Sequence, residues 1–162
     1  MEHKRLKRAR LEDWIPPPDN VLKFNVDGFA KRTPGPSGIG GVLRDSKGKV
    51  LCLFSYRLGI LESITAELWA FKTVVELICG NPSLIGREIL VVSDSRVAVS
   101  WVNQGDFGNV AFVNTVYQIR ENLAVAGCIK VVFDSRIFNS FADSLAKMGV
   151  DGSGDFVDWG DS

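Results

Sequence analysis

Residues 24–41 read FNVDGFAKRTPGPSGIGG. Phe24 and Val26 alternate with Asn25 and Asp27, the period-two pattern of a half-buried strand. A carboxylate near the inner end of such a strand needs a compensating partner, because burying a charge is unfavourable. The spacing predicts a first strand over about Leu22–Asp27, ended by Asp27, with PGPSG turning the chain. Gly38, Gly40 and Gly41 predict a close backbone approach or a bulge.

Upstream, WIPPP (Trp14–Pro18) is a stiff, extended entry, since each Pro fixes φ and disfavours helix before it. Downstream, Ile39–Arg44 and Val50–Leu58 form a hairpin around DSKGK. Ala66, Ala70, Val74 and Leu77 place a helix over Thr65–Ile78, stopped by Gly80-Asn81-Pro82. Glu88–Ser93 is an apolar, β-branched strand covered on both faces. Asp94 or Ser95 caps a short helix to about Asn103, and Asn109–Ala126 is a longer one with Val113, Val116, Arg120 and Leu123 on its stripe and flanks. Ile129–Phe133 is a fifth strand, and Ser140–Met148 a last helix closed by Gly149. The order β-β-β-α-β-α-α-β-α describes an α/β fold with a five-stranded mixed sheet flanked by helices.

The chain has 162 residues and 46% hydrophobic content, enough for one domain with a real core. Its expected limits are a flexible basic arm at 1–13, a domain at 14–150 and a disordered acidic tail at 151–162. The net charge is zero, so affinity for nucleic acid must come from local patches. One such patch is KRLKRAR at 4–10, which resembles a nuclear-import signal and predicts an intracellular, nuclear rather than cytoplasmic, protein. No apolar run reaches membrane-spanning length, and the N-terminus lacks the apolar stretch of a signal peptide. Cys52, Cys79 and Cys128 lack zinc spacing and read as reduced core residues; Trp69 and Trp101 also read as core. The single His, His3, lies in the arm, which argues against a His-activated nucleophile.

Four carboxylates occupy special positions. Asp27 ends strand one, Glu67 lies in the first turn of the first helix, Asp94 ends strand four in VSDS, and Asp143 sits in FADSLAK of the last helix. Strand ends and a helix start can converge at one end of a mixed sheet. Clustered carboxylates repel one another unless cations neutralise them, and hard oxygen ligands suit Mg²⁺ or Mn²⁺. Two ions about 4 Å apart form a clamp for in-line displacement at phosphate. Taken singly, each residue also has a plain structural reading: an Asx turn at Asp27, dipole stabilisation at Glu67, a cap at Asp94, a surface position at Asp143.

The segments WIPPP, LKFNVDG, PGPSGIGGVLRDSKGKVL, TAELWA, VVSDS and NSFADSLAK together resemble the ribonuclease H family, particularly the plant ribonuclease-H-like domains of non-LTR retroelement (retrotransposon) reverse transcriptases. The resemblance spans about Trp14–Val150 and implies the ribonuclease H sheet. It implies a hydrolase: a two-metal-ion endonuclease cutting the RNA strand of RNA–DNA hybrids. Asp27, Glu67, Asp94 and Asp143 match its catalytic, metal-binding residues, and the implied cofactors are two Mg²⁺ or Mn²⁺ ions. Gly28, Lys31, Arg32, Ser95, Arg136 and Asn139 are the substrate-contact candidates, with Arg96 a further phosphate contact. The implied partner is an RNA–DNA hybrid, and the implied setting a monomer or a reverse-transcriptase region of a longer polyprotein.

The chain also departs from the family pattern. The loop FDSRIFNSFAD lacks the His that many members carry, Ser63-Ile64-Thr65 stand where Asn residues often touch the minor groove, and NQGDFGN is too short and acidic for a basic protrusion. The alternative reading is therefore a retroelement-derived domain that binds nucleic acid or protein with weak or no catalysis. A proofreading-type exonuclease would place D-x-E on strand one, whereas NVDG has one carboxylate.

Overall fold

The computed structural model describes residues 14–105, 110–152 and 155–160. The basic arm, and Asp106–Asn109 of the segment weighed as a protrusion, lie outside them. The elements are β1 (Leu22–Ala30), β2 (Gly35–Arg44), β3 (Val50–Leu61), α1 (Ser63–Cys79), β4 (Ile89–Ser93), α2 (Arg96–Gln104), α3 (Val113–Ala126), β5 (Ile129–Phe133), α4 (Ser140–Val150) and β6 (Phe156–Trp159). Short 3₁₀ turns at Val110–Phe112 and Arg136–Asn139 lead into α3 and α4. Among the described residues, no helix is long and apolar enough to cross a membrane.

The sheet order is β5-β4-β1-β2-β3-β6. β1 pairs antiparallel with β2 and parallel with β4, and β4 pairs parallel with β5. The mixed α/β sheet is thus as expected, with one strand more. Phe156–Trp159 pair antiparallel with β3, Trp159 opposite Cys52, so part of the acidic tail is ordered. The apolar residues of FVDW cover the β3 edge, which would otherwise present unpaired backbone groups.

Side-chain alternation sorts the strands onto two faces. Leu22, Phe24 and Val26 join Ile39, Leu43, Phe54 and the α1 residues Leu68, Phe71 and Val75 in the main core. Val42 and Leu53 pack with Phe141 and Leu145 of α4 in a second cluster. β1 is therefore covered on both faces, not half-buried: every residue from Leu22 to Asp27 is buried.

Glycines set the α4 contact. A Cβ on Gly40 would come within 2.5 Å of the Ala146 nitrogen, and one on Gly149 within 2.5 Å of the Tyr56 oxygen. The helix backbone therefore lies directly on β2 and β3, and Ser55 Oγ donates to the Leu145 carbonyl at 2.6 Å. Gly149 belongs to this contact and lies inside α4, rather than closing it.

Other boundaries moved for similar reasons. Gly35-Pro36-Ser37 join β2 because Ala30 pairs with Ser37, which extends β1 past Asp27 and leaves the turn to residues 31–34. α1 starts at Ser63, so Glu67 lies in its second turn. Cys52 is buried and Cys79 half-buried, but Cys128, between α3 and β5, is exposed. Trp69 is also exposed, with the Lys72 ammonium 4.2 Å from its ring centroid, whereas Trp101 packs against the core.

Candidate active site

Asp27 sits mid-strand in β1, 4% exposed and paired with Gly40 across the sheet. The parallel register Asn25↔Val92, carried two residues further, brings Asp94 beside it just past β4. Glu67 arrives from α1 because Gly28 has no side chain: a Cβ there would lie 2.6 Å from the Glu67 nitrogen. The Gly28 N–H then donates to Glu67 Oε1 at 2.6 Å. Carboxylate oxygens of Asp27, Glu67 and Asp94 all lie within 4.8 Å of one another.

Asp143 reaches the same group from α4, within hydrogen-bonding range of Asp27. Its Oδ2 accepts from Lys147 Nζ at 3.0 Å, one helical turn away. Its Oδ1 is buried with no hydrogen-bond partner.

This packing of negative charge raises the proton affinities. Burial, followed by the charges of Glu67 and Asp94, pushes Asp27 well above the usual carboxylate range. Burial pushes Glu67 up to about 7 against the lowering effect of the Gly28 N–H. Asp94 is raised too, chiefly by burial, with Asp27 and Arg136 acting to lower it. An all-oxygen donor set with an orphaned acceptor at Asp143 fits a hard divalent cation, whose charge would reverse these penalties.

The substrate-contact candidates divide. Lys31 and Arg32 are exposed in the turn after β1. Arg136 is exposed, its Nε 4.0 Å from Asp94 Oδ2. Gly28 instead positions Glu67. Ser95 caps α2, its Oγ accepting from the Ala98 N–H at 3.2 Å. Asn139 is 1% exposed, and its amide is committed internally. Its Nδ2 donates to the Val26 carbonyl at 2.9 Å and its Oδ1 accepts from Asn25 Nδ2 at 2.9 Å. It fastens the start of α4 to β1. Arg96 is exposed, its guanidinium carbon 3.9 Å from the Phe133 ring centroid. Ile64 packs against the core. Lys147 was missed, although its spacing from Asp143 is the i,i+4 signal of a helical ion pair.

A five-strand mixed sheet with one added edge strand, and an acidic group gathered from β1, α1 and the end of β4, defines a ribonuclease H-like domain. A family model described as reverse transcriptase-like matches residues 25–149. The chain belongs to that family. A provisionally named ribonuclease H protein of Arabidopsis thaliana is 38% identical over 138 residues, 85% of this chain and 22% of the relative. This chain therefore spans about a fifth of that relative's length. LC11-RNase H1, solved in complex with RNA/DNA hybrid, is 26% identical with a TM-score of 0.73, covering 82% of this chain and 98% of that one. Ribonuclease H1 of the archaeon Halobacterium salinarum has the same fold at 21% identity and a TM-score of 0.74, covering 82% of this chain and 98% of its own.

Proposed function

We propose that this domain hydrolyses the RNA strand of RNA–DNA hybrids with divalent cations, as part of a reverse-transcriptase polyprotein or a chain derived from one. The observation that carries this reading is the carboxylate group whose oxygens lie within 4.8 Å of one another. Unaided, such a group is electrostatically unfavourable.

Asp27, Glu67, Asp94 and Asp143 would hold one or two Mg²⁺ or Mn²⁺ ions. Bound there, the ions supply an activated water and charge stabilisation at the scissile phosphate. The chain's own residues prepare the geometry. Asp27 is the common neighbour of the other carboxylates, Gly28 N–H orients Glu67, and Lys147 orients Asp143. Lys31, Arg32 and Arg136, all exposed, would meet phosphates, which position a nucleic acid without reading its sequence. Hybrid preference would rest on minor-groove shape and 2′-OH contacts.

The binding-module alternative draws support from Ile64, which packs inward and has no hydrogen bond to offer a 2′-OH. One assay separates the two readings. Wild type and Asp94→Asn are compared on a labelled hybrid in Mg²⁺, Mn²⁺ and EDTA, with single-stranded RNA and duplex DNA as controls. Wild type should cut the hybrid in either metal and not in EDTA. Asp94→Asn should lose about 100-fold or more in rate, the scale of removing a key electrostatic stabiliser. Hybrid binding without cleavage by wild type would leave the binding module.

A further inference from the structure

On the α4 face of the sheet, beside the turn that carries Asp143, lies a pocket of about 10 Å³ lined by Trp14, Asn25, Arg44 and the first turn of α4. Arg44 is 1% exposed, the largest of the fully buried side chains. Its guanidinium carbon lies 5.1 Å from the ring centroids of both Trp14 and Phe141. Those rings engage the π-system of the group. Nε and Nη2 are buried with no hydrogen-bond partner. Among the described residues Arg44 forms no ion pair, and its charged neighbour Lys23 is another cation, one that also feels Asp134. Burial lowers the Arg44 proton affinity to about 10, so the group is charged at neutral pH.

An uncompensated buried charge is strongly unfavourable, and a guanidinium cannot relieve it by losing its proton. The second wall is the start of α4, an 11-residue helix without a side-chain cap, whose N-terminal dipole end favours an anion although Asp143 lies in the same turn. The size is equally restrictive: about one water-sized sphere. So small a space suits a single atom better than phosphate, sulfate or a carboxylate. A neutral water would satisfy donors but not the charge.

We propose that Arg44 and the start of α4 bind one monatomic anion, of which chloride is the physiological example. The bound halide would join three separate segments: the WIPPP entry through Trp14, β2 through Arg44, and α4. The entry is already tied down nearby, with Trp14 Nε1 donating to Asn25 Oδ1 at 3.2 Å and Lys23 Nζ donating to the Ile15 carbonyl at 2.8 Å. Asn25 in turn holds Asn139, so the anion would also steady the helix that carries Asp143.

The test uses the full chain, dialysed into sodium gluconate and titrated with sodium chloride or bromide at constant ionic strength. The thermal midpoint of wild type should rise and saturate with either halide, by roughly 5 °C or more once halide reaches 100 times its dissociation constant. Arg44→Met should show no halide response. Independently of any variant, crystals of wild type grown in bromide should carry an anomalous bromine peak within hydrogen-bonding distance of Arg44 Nε or Nη2. Equal midpoints in gluconate and halide, a response retained in Arg44→Met, or a water without bromine at Arg44 would each overturn the proposal.

Discussion

Glu67→Gln should make the metal-free protein more stable, and only at high pH. The Glu67 carboxyl is pushed from its ordinary 4.5 up to about 7, mainly by burial. The folded state therefore binds this proton more tightly than the unfolded chain. Stability from that proton is complete below pH 4.5 and is lost as pH rises through about 7. At 1.36 kcal/mol per pH unit the full loss is about 3 kcal/mol, and partial solvent contact trims it to roughly 2–3 kcal/mol. Gln keeps an oxygen for the Gly28 N–H and carries no charge. Urea unfolding in EDTA at pH 4.5, 6 and 8 would measure the difference. The variant should match wild type at pH 4.5 and exceed it by roughly 2–3 kcal/mol at pH 8, about 4–12 °C in midpoint for a domain of this size. Asp27 and Asp94 are raised in the same direction, so their protons add to the loss of wild-type stability as pH rises. Adding MgCl₂ at pH 8 should restore wild type and do less for the variant. A wild type equally stable at pH 5 and 8 in EDTA, or a variant weaker than wild type at pH 8, would refute the account of charge crowding.

Gly28→Ala should drive the α1 backbone off β1, because the new Cβ would lie 2.6 Å from the Glu67 nitrogen. The expected loss is about 1–3 kcal/mol in urea unfolding, with weakened Mn²⁺ binding by calorimetry. Asn139→Ala leaves the Val26 carbonyl and the Asn25 amide without their partner. It should destabilise by about 1–3 kcal/mol while hybrid affinity, measured separately, stays unchanged. Lys147→Ala removes the cation 3.0 Å from Asp143. With a competing cation gone from a crowded acidic site, it should lower the Mg²⁺ concentration needed for half-maximal cleavage of the hybrid, with little effect on the unfolding midpoint.

Local pattern was enough to read much of the chain. Alternation around Phe24 and Val26, the spacing of Ala66 to Leu77, and the apolar run before Asp94 each depend on near neighbours, and the corresponding elements are present. The four carboxylates were legible because their flanking segments resemble a family, not because any one Asp is distinctive. Other features depended on what lies across the sheet. Asn139 became internal because Asn25 and Val26, more than a hundred residues earlier, take up its amide. Gly28 acts through the passing backbone of α1. FVDW, in a tail read as disordered, forms a strand because β3 has an open edge to pair with. Arg44 ends the strand Ile39–Arg44 in the sequence, and only the stacking of Trp14 and α4 over it makes it a buried charge. Periodicity reports which face of an element is apolar. Which distant surface covers that face, and how close it can come, is decided by packing, and packing has already engaged the side chains of Ser95 and Asn139.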